Sequence, residues 1–423
     1  MTKQKISVSV RFRPLLPTEA KHKTVEGVPD SEDRPADSFS LSTGKKLSVG
    51  PFERVFTRHD RNGAVYREIV QPLVSGVLNL QISTAAFFAY GQTSAGKTHT
   101  MLGYGPERGM YDFAAQDVLT FIEPHPDLSL QIRFIELYNG KAFDLNNNHM
   151  ECFVRTNAEG EIDIRANTEV DPETKQVKVN RLKTVTARTM EDVHAIMRNG
   201  IKQRAVGCST RHNQSSRSHA VLELEIVSQD LIALRDEITQ KEAELVPVGN
   251  KRDSYVIDNA SKLYRQDEIG RWIKNDDPEM DAIMAANDAE VAHFQARVDA
   301  AVAAEKGYMA SHGQGLLGRR IILVDLAGAD TELRTGKMDP AEQKESREIN
   351  KSLLALKECF RALASGASHV PYRNSMLTHT LKRFLGDDRV RVGMLANASP
   401  SAEHAAMTVN TMRYANLVAT SVK

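Results

Sequence analysis

The 423-residue sequence has few cysteines, no excess charge of either sign and no long apolar run. Cys152, Cys208 and Cys359 are widely spaced and form no C-x-x-C pair, so they predict neither a disulfide framework nor a zinc site and favour a reducing compartment. Lys and Arg number 55, as do Asp and Glu, so bulk charge gives no argument for nucleic acid or membrane binding. Because a membrane-length apolar segment and the apolar run of a signal peptide are also missing, we expect a cytosolic protein.

Apolar strand patterns alternate with helical patterns along most of the chain. The predicted strands are 6–12, 83–91, 129–139, 220–228, 319–328 and 390–399. The predicted helices are 64–79, 109–123, 189–205 and 347–365. Apolar strands separated by helices predict an α/β fold, in which helices cover both faces of a largely buried sheet.

The stretch 229–318 departs from this alternation, because it lacks a strand pattern and holds two helical ones. The first, roughly 230–246, places Leu231 and Leu234 on one face, and the second runs from about 278 to 309. We therefore predict a helical insertion over 229–318 between two strands. Two interpretations of this insertion stay open, a solvated helical excursion and a partner-binding arm.

A phosphate-binding loop follows the second predicted strand. The sequence FFAYGQTSAGKTHTM covers residues 87–101, and its core from Gly91 to Thr98 matches G-x-x-x-x-G-K-T. In this motif backbone N–H groups wrap around a phosphate chain, Lys97 reaches the outer phosphates and Thr98 offers a hydroxyl to Mg²⁺. The motif predicts a nucleoside triphosphate site without selecting among kinases, transporters and GTPases.

Two later stretches supply what a nucleotide hydrolase needs besides the loop. VDLAG (324–328) ends an apolar strand with Asp325 and follows it with Gly328, a carboxylate near the metal and a backbone N–H that approaches the outermost phosphate. NQSSRSH (213–219) is a hydroxyl-rich stretch just before another strand. Each stretch alone is common in turns and caps, but with the loop they indicate hydrolysis of a nucleotide.

Seven motifs together resemble those of a kinesin motor domain, in the order of that family. They are RFRP (11–14), FAYGQTSAGKTHTM (88–101), NQSSRSH (213–219), VDLAG (324–328), EINKSLLALKECFRAL (348–363), VPYRNSMLTHTLKRFLG (370–386) and NTMRYANLV (410–418). The resemblance covers nearly the whole chain, 1–423, except the insertion. It implies the fold of a kinesin-like P-loop NTPase, with a central mixed sheet of about eight strands and helices on both faces. It also implies the activity of a microtubule-stimulated ATPase that uses ATP and Mg²⁺.

The resemblance also implies roles for individual residues. Arg11, Arg13, Pro14 and His99 are expected on the adenine side of the nucleotide. The phosphates are expected against Gly91, Gln92, Thr93, Ser94, Ala95, Gly96, Lys97 and Thr98. Mg²⁺ is expected at Thr98, Ser216 and Asp325.

Four further residues would complete the catalytic site by the same motif match. Gly328 would sense the γ-phosphate, and Ser215 would help to position the attacking water. Arg217 would pair with a carboxylate that the family normally supplies as Glu, at the end of D-L-A-G-x-E, whereas this chain has Asp330. Asp is one methylene shorter, and because misplacement by about an ångström can cost about a hundredfold in rate, slow hydrolysis and a compensating loop shift are both open.

Within the kinesins, several stretches resemble the internal-motor, microtubule-depolymerising class, family thirteen. They are GMYDFAAQDVL (109–119), FIELYNGKAFDL (134–145) and KSLLALKEC (351–359), the last of which holds the K-E-C signature of a tubulin-facing helix. The K-V-D tip of that class is not visible in 38–56, which offers only Lys45 and Lys46. The three stretches make depolymerisation the leading expectation, and the missing tip leaves translocation as its alternative.

Local charge also predicts contact with tubulin, which is acidic. Residues 172–211 carry nine Lys or Arg against three acidic residues, and 334–391 is basic as well. The residues expected at the microtubule are Lys351, Lys357, Glu358, Cys359, Arg361, Arg373, Lys382 and Arg383. No aromatic platform accompanies this charge, so nucleic acid is not expected as a partner.

Two hypotheses of different classes follow. The first is an ATPase that converts hydrolysis into movement along microtubules or their disassembly, in the cytoplasm and on the cytoskeleton. The second is a microtubule- or tubulin-binding module with slow ATP turnover, whose insertion recruits an unknown partner. Turnover measured with and without microtubules distinguishes them.

Overall fold

The chain divides into two compact units. The computed structural model describes residues 6–19, 27–29, 39–42, 46–156, 160–171, 177–206, 216–329, 340–385 and 389–421. The first unit comprises Met1–Ile164, Leu182–Ile226 and Gly318–Lys423, and the second comprises Arg165–Arg181 and Val227–Leu317. In the described part of the chain, no helix is both long and apolar enough to cross a membrane.

Nineteen strands occur in the described residues. They are β1 (Ile6–Phe12), β2 (Gly27–Pro29), β3 (Phe39–Ser42), β4 (Lys46–Val49), β5 (Val55–Phe56), β6 (Thr84–Gly91), β7 (Gly103–Tyr104), β8 (Glu107–Arg108), β9 (Leu128–Tyr138), β10 (Lys141–Asp144), β11 (Met150–Thr156), β12 (Ile162–Val170), β13 (Val177–Arg181), β14 (Val185–Ala187), β15 (His219–Ser228), β16 (Tyr264–Gln266), β17 (Trp272–Lys274), β18 (Arg320–Asp325) and β19 (Val390–Ala398). All six predicted strands are present, as β1, β6, β9, β15, β18 and β19.

Eleven α-helices occur in the same residues. They are α1 (Asn62–Val65), α2 (Gln71–Leu78), α3 (Lys97–Leu102), α4 (Met110–Ile122), α5 (Met190–Val206), α6 (Gln229–Asp258), α7 (Ala260–Leu263), α8 (Pro278–Ser311), α9 (Pro340–Ser365), α10 (Met376–Leu385) and α11 (Ala405–Ser421). A π-helical turn, Tyr66–Val70, joins α1 to α2, so the predicted helix 64–79 is present with an interruption.

The large sheet is the α/β sheet predicted from the alternation, and it has twelve strands rather than about eight. In the first unit the order is β11, β10, β9, β15, β18, β6, β19, β1, β5, with β14 also on β9. The 11-residue β9 is long enough to pair with both β14 and β10. Asn139 and Gly140, both with positive φ, form the two-residue turn into β10 and so extend the sheet by a hairpin.

Strand direction brings the site residues to one edge of the sheet. β18, β6, β19 and β1 are parallel, with Asp325 in register with Ala89, so β6 and β18 both end at this edge. β15 is antiparallel to β18 and pairs Ala220 with Asp325, so β15 begins at the same edge. The end of the phosphate loop's strand, Asp325 and the residues before β15 therefore meet there.

Helices cover both faces of this sheet. On one face, Phe88 makes an edge contact with Phe360 of α9, and Tyr90 stacks on Tyr414 of α11 at 4.1 Å between ring centroids. On the other face Leu73 of α2 lies against Gly393 of β19, where an added Cβ would come within 2.8 Å of Leu73 Cδ1. The predicted two-sided covering of the sheet is thus confirmed.

The second unit is built mainly of α6 and α8. At 30 and 34 residues they are about 45 and 51 Å long at 1.5 Å per residue. Ser228 Oγ accepts a hydrogen bond from Leu231 N to cap α6, and Asp277 accepts from Glu279 N and Met280 N to cap α8. α6 extends twelve residues beyond the predicted end near 246, through Pro247, because it continues to pair with α8 by contacts such as Lys251–Glu290.

Candidate nucleotide site

The loop Gly91–Thr98 joins β6 to α3, as the motif requires. Gly91 has a φ of +149°, and an added Cβ would lie 2.2 Å from the backbone oxygen of Asn397, so a side chain has no room there. Gly96 precedes α3 with left-handed backbone dihedrals. Gln92 and Ala95 are fully buried, so their side chains pack inside the first unit. The chain thus forms the backbone cradle that phosphate binding needs.

Lys97 is buried against its own loop. Its Nζ donates hydrogen bonds to the backbone oxygens of Gly91 at 3.0 Å and Gln92 at 2.8 Å, and the residue is 5% exposed. An ammonium group held at the start of α3 adds positive charge where the helix dipole already favours an anion. The arrangement places the cation at the centre of the cradle.

Thr98 and Asp325 meet at the sheet edge. Thr98 Oγ1 donates to Asp325 Oδ2 at 3.0 Å, and Asp325 is 1% exposed. The other carboxylate oxygen, Asp325 Oδ1, is buried and has no hydrogen-bond partner among the described residues. Since a buried carboxylate oxygen is costly to leave unsatisfied, the pair fits a site for Mg²⁺, whose preferred ligands are oxygens.

The residues after Asp325 contact the loop and the residues before β15. Gly328 N donates to Ser216 O at 2.7 Å, and Ala329 N donates to Gly91 O at 3.0 Å. An added Cβ on Gly328 would lie 2.1 Å from Thr93 Oγ1, so only glycine allows this approach. Thr93, Ser216 and Gly328 are thereby brought together beside the cradle, while Ser215 lies outside the described residues.

Arg217 is held by carboxylates that the motif match did not name. Its NH1 lies 2.8 Å from Glu345 Oε2 and its NH2 lies 3.8 Å from Glu342 Oε1, both on α9. The expected partner, Asp330, lies outside the described residues. The sequence contained a signal for Glu342, since it stands in the first turn of the long helix α9, but only the fold shows that Glu342 and Glu345 reach Arg217.

His219 connects three parts of the site and was missed by the sequence reasoning. Its Nδ1 accepts from Ala327 N at 3.0 Å, so Nε2 carries the proton and donates to Ser352 Oγ of α9 at 2.8 Å. Burial, with the charges of Arg204 and Lys97, lowers the pKa of His219 to about 3. The imidazole is therefore neutral and links β15, the segment after β18 and α9.

The two arginines expected on the adenine side make buried contacts within the chain. Arg11 is buried and donates to Asn62 Oδ1, Thr100 Oγ1 and Asp60 O. Arg13 pairs with Glu19 at 2.6 Å and donates to Ser94 O at 2.7 Å. Both guanidiniums satisfy their donors within the chain, as a buried cation must, and their place on the adenine side of a nucleotide stays a prediction.

Pro14 and His99 remain accessible. Pro14 is exposed, and the His99 side chain is 42% exposed, with Nε2 3.6 Å from Glu107 Oε2. Burial lowers the pKa of His99. Contact of these two residues with a nucleotide base stays a prediction.

The residues expected at tubulin divide by exposure. Lys351, Arg361 and Arg373 are exposed, and Glu358 is exposed while it accepts from Asn374 Nδ2 at 3.2 Å. Lys357 lies over the ring of Tyr414, with its Nζ 5.7 Å from the centroid.

Three of the expected contacts are directed inwards. Cys359 is fully buried, and burial raises the pKa of its thiol to about 12, so the expectation that Cys359 meets tubulin is wrong: it faces the core side of α9. Arg383 pairs with the buried Glu223, and Lys382 Nζ donates to Gly160 O. Both basic side chains are thus engaged within the first unit.

The fold and the site define a P-loop nucleoside triphosphatase. The family model described as kinesin motor domain matches residues 11–249 and 299–420. The chain belongs to the kinesin motor-domain family. The matched residues leave out 250–298, which form the end of α6, the hairpin β16–β17 and the first part of α8.

Similar proteins agree with this assignment. Kinesin-like protein KIF24 of Homo sapiens is 28% identical over 425 residues, covering 98% of this chain and 24% of that protein. Kinesin-like protein KIN-13A of Oryza sativa subsp. japonica is 29% identical over 98% of this chain and 41% of that protein, in line with the resemblance to family thirteen. The chain spans less than half the length of these relatives. A solved structure of a fast kinesin shares the fold, with a TM-score of 0.63 at 23% identity over 98% of this chain and 91% of that one.

Proposed function

We propose that this chain is a microtubule-stimulated ATPase whose leading activity is depolymerisation of microtubule ends. The observation that carries the ATPase is the buried Thr98–Asp325 pair beside Lys97, with Asp325 Oδ1 left for a cation. When bound, ATP and Mg²⁺ supply the transferable phosphoryl group and the charge that activates it.

The residues of the chain would share the work around that group. Thr98, Ser216 and Asp325 would hold Mg²⁺, and Lys97 would leave its backbone partners to contact the outer phosphates. The N–H of Gly328 would exchange Ser216 O for the γ-phosphate, since Thr93 and Gly328 already approach the cradle closely. Ser215 would orient the attacking water, and closing of Arg217 onto Asp330 would shield the reaction.

We place the tubulin contact on α9 and the segment after it. Lys351, Arg361 and Arg373 are exposed cations, and tubulin is acidic, so they would steer and hold the encounter. Lys357 would add to this surface if it left Tyr414. The association implies a cytoskeletal location in the cytoplasm.

The whole chain, 1–423, would be one motor domain with 229–318 as an insertion between β15 and β18. The insertion carries exposed apolar residues in its middle, Ile257 at 73%, Ile269 at 71% and Trp272 at 68% exposure. This exposure favours a partner-binding arm over a solvated excursion, because exposed large apolar side chains are common at interaction sites.

Two observations favour other activities. β3 and β4 form a short hairpin where the depolymerising class carries its K-V-D tip, which favours a translocating motor. Arg217 is held by Glu345 and Glu342 while position 330 is Asp, which favours a slow-ATPase binding module. For the second case, Asp330→Glu should accelerate turnover if the shorter side chain limits closure.

The deciding experiment measures steady-state ATP turnover with free tubulin, with stabilised microtubules and with neither, while light scattering follows the polymer. Stimulation by tubulin with falling scattering is expected for the depolymerase. Stimulation by polymer with constant scattering would instead establish a translocating motor, and equal slow turnover in all three would establish the binding module. Lys97→Ala should abolish turnover in each condition, and retained turnover in this variant would refute the site.

A second experiment tests the tubulin surface. Lys351→Ala with Arg361→Ala should weaken microtubule binding by about tenfold, since each removes an exposed cation from the proposed contact. Lys306→Ala removes an exposed cation from α8 and serves as the matched control, which should bind as the unchanged chain does. Equal binding by the double variant would place the contact elsewhere.

A further inference from the structure

The hairpin β16–β17 lies in the stretch 250–298, which the kinesin family match leaves out. Among the described residues its two strands pair only with each other, and all three residues of β17 are exposed. The single tryptophan of the chain, Trp272, begins β17. Resting on the proposed partner-binding arm, we propose that its partner is a second copy of this chain, whose β17 pairs with the open edge of the first.

The hydrogen bonds of the hairpin determine which backbone groups of β17 point outwards. Asn275 N donates to Leu263 O at 2.8 Å, and the register continues with Lys274 opposite Tyr264. Hydrogen-bonded pairs alternate along an antiparallel ladder, so the N–H and C=O groups of Trp272 and Lys274 point away from β16. β17 therefore presents an open row of donors and acceptors, the template on which a further strand can pair.

The sequence of β17 suits antiparallel pairing with itself about Ile273. In this register Ile273 lies opposite Ile273 of the second copy, and Trp272 lies opposite its Lys274. Directly opposite side chains contact each other, so the isoleucines form an apolar pair and each indole packs on a lysine stem. The ammonium of Lys274 does not oppose this pairing, because it is compensated by Asp281 of its own chain.

The charges at the two ends of β17 are complementary to each other. Arg271 precedes the strand and Asp276 follows it, and both are exposed. Arg271 contacts Asp267 of its own chain while its side chain stays 74% exposed. Antiparallel pairing brings Arg271 of each copy close to Asp276 of the other, twice in a two-fold symmetric dimer.

The edge of β16 lacks this complementarity. The same pairing about the middle residue of β16 would place Arg265 directly opposite Arg265 of the second copy, and like charges in that position are destabilising. In the β17 dimer these two arginines are three strand spacings apart, about 14 Å, which exceeds the screening length of about 8 Å at physiological salt. The charges thus select the β17 edge.

Pairing through β17 would convert two hairpins into one sheet of four strands. An isolated two-stranded hairpin is marginally stable in water, so each copy supplies the strands that the other lacks. The contact is small, and we therefore expect a dimer that forms only as concentration rises. Two motor domains joined in this way could engage two tubulin sites at once.

The test follows the full chain by sedimentation velocity from about 1 to 200 µM, a range that covers weak protein contacts. Tryptophan fluorescence is read on the same samples and reports position 272 alone, because the chain has one tryptophan. We expect conversion of monomer to dimer with rising concentration. Over the same range the emission should shift to shorter wavelength, since the indole leaves water.

Position 273 gives the sharpest variants, because it faces itself across the dimer axis. Ile273→Lys and Ile273→Glu each place two like charges directly opposite, and each alone should weaken dimerisation by at least about fivefold. An equal mixture of the two should dimerise again, because opposite charges then face each other. The matched control is Ile283→Lys, which changes an exposed isoleucine of α8 and should dimerise as the unchanged chain does.

Failure of the mixture to dimerise, or an equal loss in Ile283→Lys, would overturn pairing through β17. If the variants at 273 do not fold, Lys274→Pro removes an outward N–H of β17 and should prevent dimerisation. Gln266→Pro removes an outward N–H of β16 and should not prevent it. Equal behaviour of these two variants would also overturn the pairing.

A chain that stays monomeric over the whole range would overturn the second copy as the partner. If added tubulin then shifts the emission of Trp272, the arm binds tubulin instead. If tubulin leaves the emission unchanged as well, the proposed partner-binding arm is refuted too. ATP turnover of the monomeric Ile273→Lys chain is measured separately, so a failed dimer and a failed ATPase are told apart.

Discussion

The nucleotide-binding unit and the helical unit of this chain are stabilised in different ways. In the first, polar side chains such as Arg204 and His219 are buried and satisfied by partners far away in sequence. In the second, α8 buries only Met280, Asn287, Val298 and Ala301 of its 34 residues, and ion pairs such as Arg235–Glu305 connect it to α6. The site therefore depends on exact long-range placement, while the helical pair depends on local helix formation and one narrow seam.

The largest effect that sharpens this comparison is expected at Gly91. Gly91→Ala would place a Cβ 2.2 Å from Asn397 O at a φ of +149°, so the backbone of β6 or β19 must shift. We expect a loss of about 3 to 5 kcal/mol in the free energy of unfolding, together with loss of nucleotide binding. Urea unfolding followed by circular dichroism measures it, and a loss below about 1 kcal/mol would show that the loop is more adaptable than its geometry indicates.

The next effect is a gain, and it is expected in the helical unit. Pro247 lies inside α6, is exposed and lacks the N–H that would bond to Ala243 O. Pro247→Ala should stabilise α6 by about 1 to 3 kcal/mol and slow amide exchange at the following residues. Hydrogen exchange read by mass spectrometry checks this, and faster exchange around 247 would mean that the proline is required for the pairing of α6 with α8.

A third prediction concerns the pH dependence of stability, which the buried imidazole of His219 gives to the first unit. The pKa of His219 is lowered to about 3 in the folded chain, so between that value and its ordinary 6.5 the unfolded chain binds more protons. Stability from the neutral imidazole is therefore complete above pH 6.5 and is lost as the pH falls, by at most about 1.4 kcal/mol per pH unit. His219→Gln, which does not titrate, should unfold more easily at pH 7.5 but lose less stability between pH 6.5 and 5.

The measurement is the difference between the two chains in unfolding free energy at each pH, because carboxylates elsewhere contribute equally to both. A constant difference from pH 7.5 to 5 would contradict a neutral, buried His219. The hydrogen bonds to Ala327 and Ser352 account for the lower starting stability of the variant.

The smallest effect is expected at Gly249 of α6, which contrasts with Gly91 because it has open space around it. An added Cβ there has no heavy atom of the described residues within 4 Å, so Gly249→Ala should stabilise the helix by about 0.5 to 1 kcal/mol. Thermal unfolding measures the gain. A loss instead would show that position 249 is covered by a partner or by chain outside the described residues, and the contrast with Gly91 would then weaken.

Much of the fold could be predicted because its signals are local. The six main strands follow short apolar patterns within the sequence, and the loop motif lies between β6 and α3. The hairpin β9–β10 had a local signal too, since Asn139-Gly140 is the pair that two-residue turns favour. What the motifs did not reveal is the set of partners of each buried charge, such as Glu345 for Arg217.

β15 shows why local sequence patterns could not predict which charged residues are buried. Its alternation of apolar residues with Glu223 and Glu225 is typical of a strand with one solvent face, yet both glutamates are buried. Arg133 from β9 and Arg320 from β18 pair with them, and Arg383 of α10 pairs with Glu223. Because these arginines are distant in sequence, no local pattern could indicate that the charges would be compensated.

The sequence by itself determined the class of the fold, the position of the phosphate loop and the kinesin family, because each depends on residue types at fixed short spacings. Only the tertiary structure decided which charges meet: Arg204 with Asp325, His219 with Ser352, and Arg11 with Asn62. It also decided that α6 continues through Pro247 and that Cys359 faces inwards. Burial and partner choice are properties of packing between distant segments, and the free energy of placing a charge depends on those neighbours rather than on its own position in the chain.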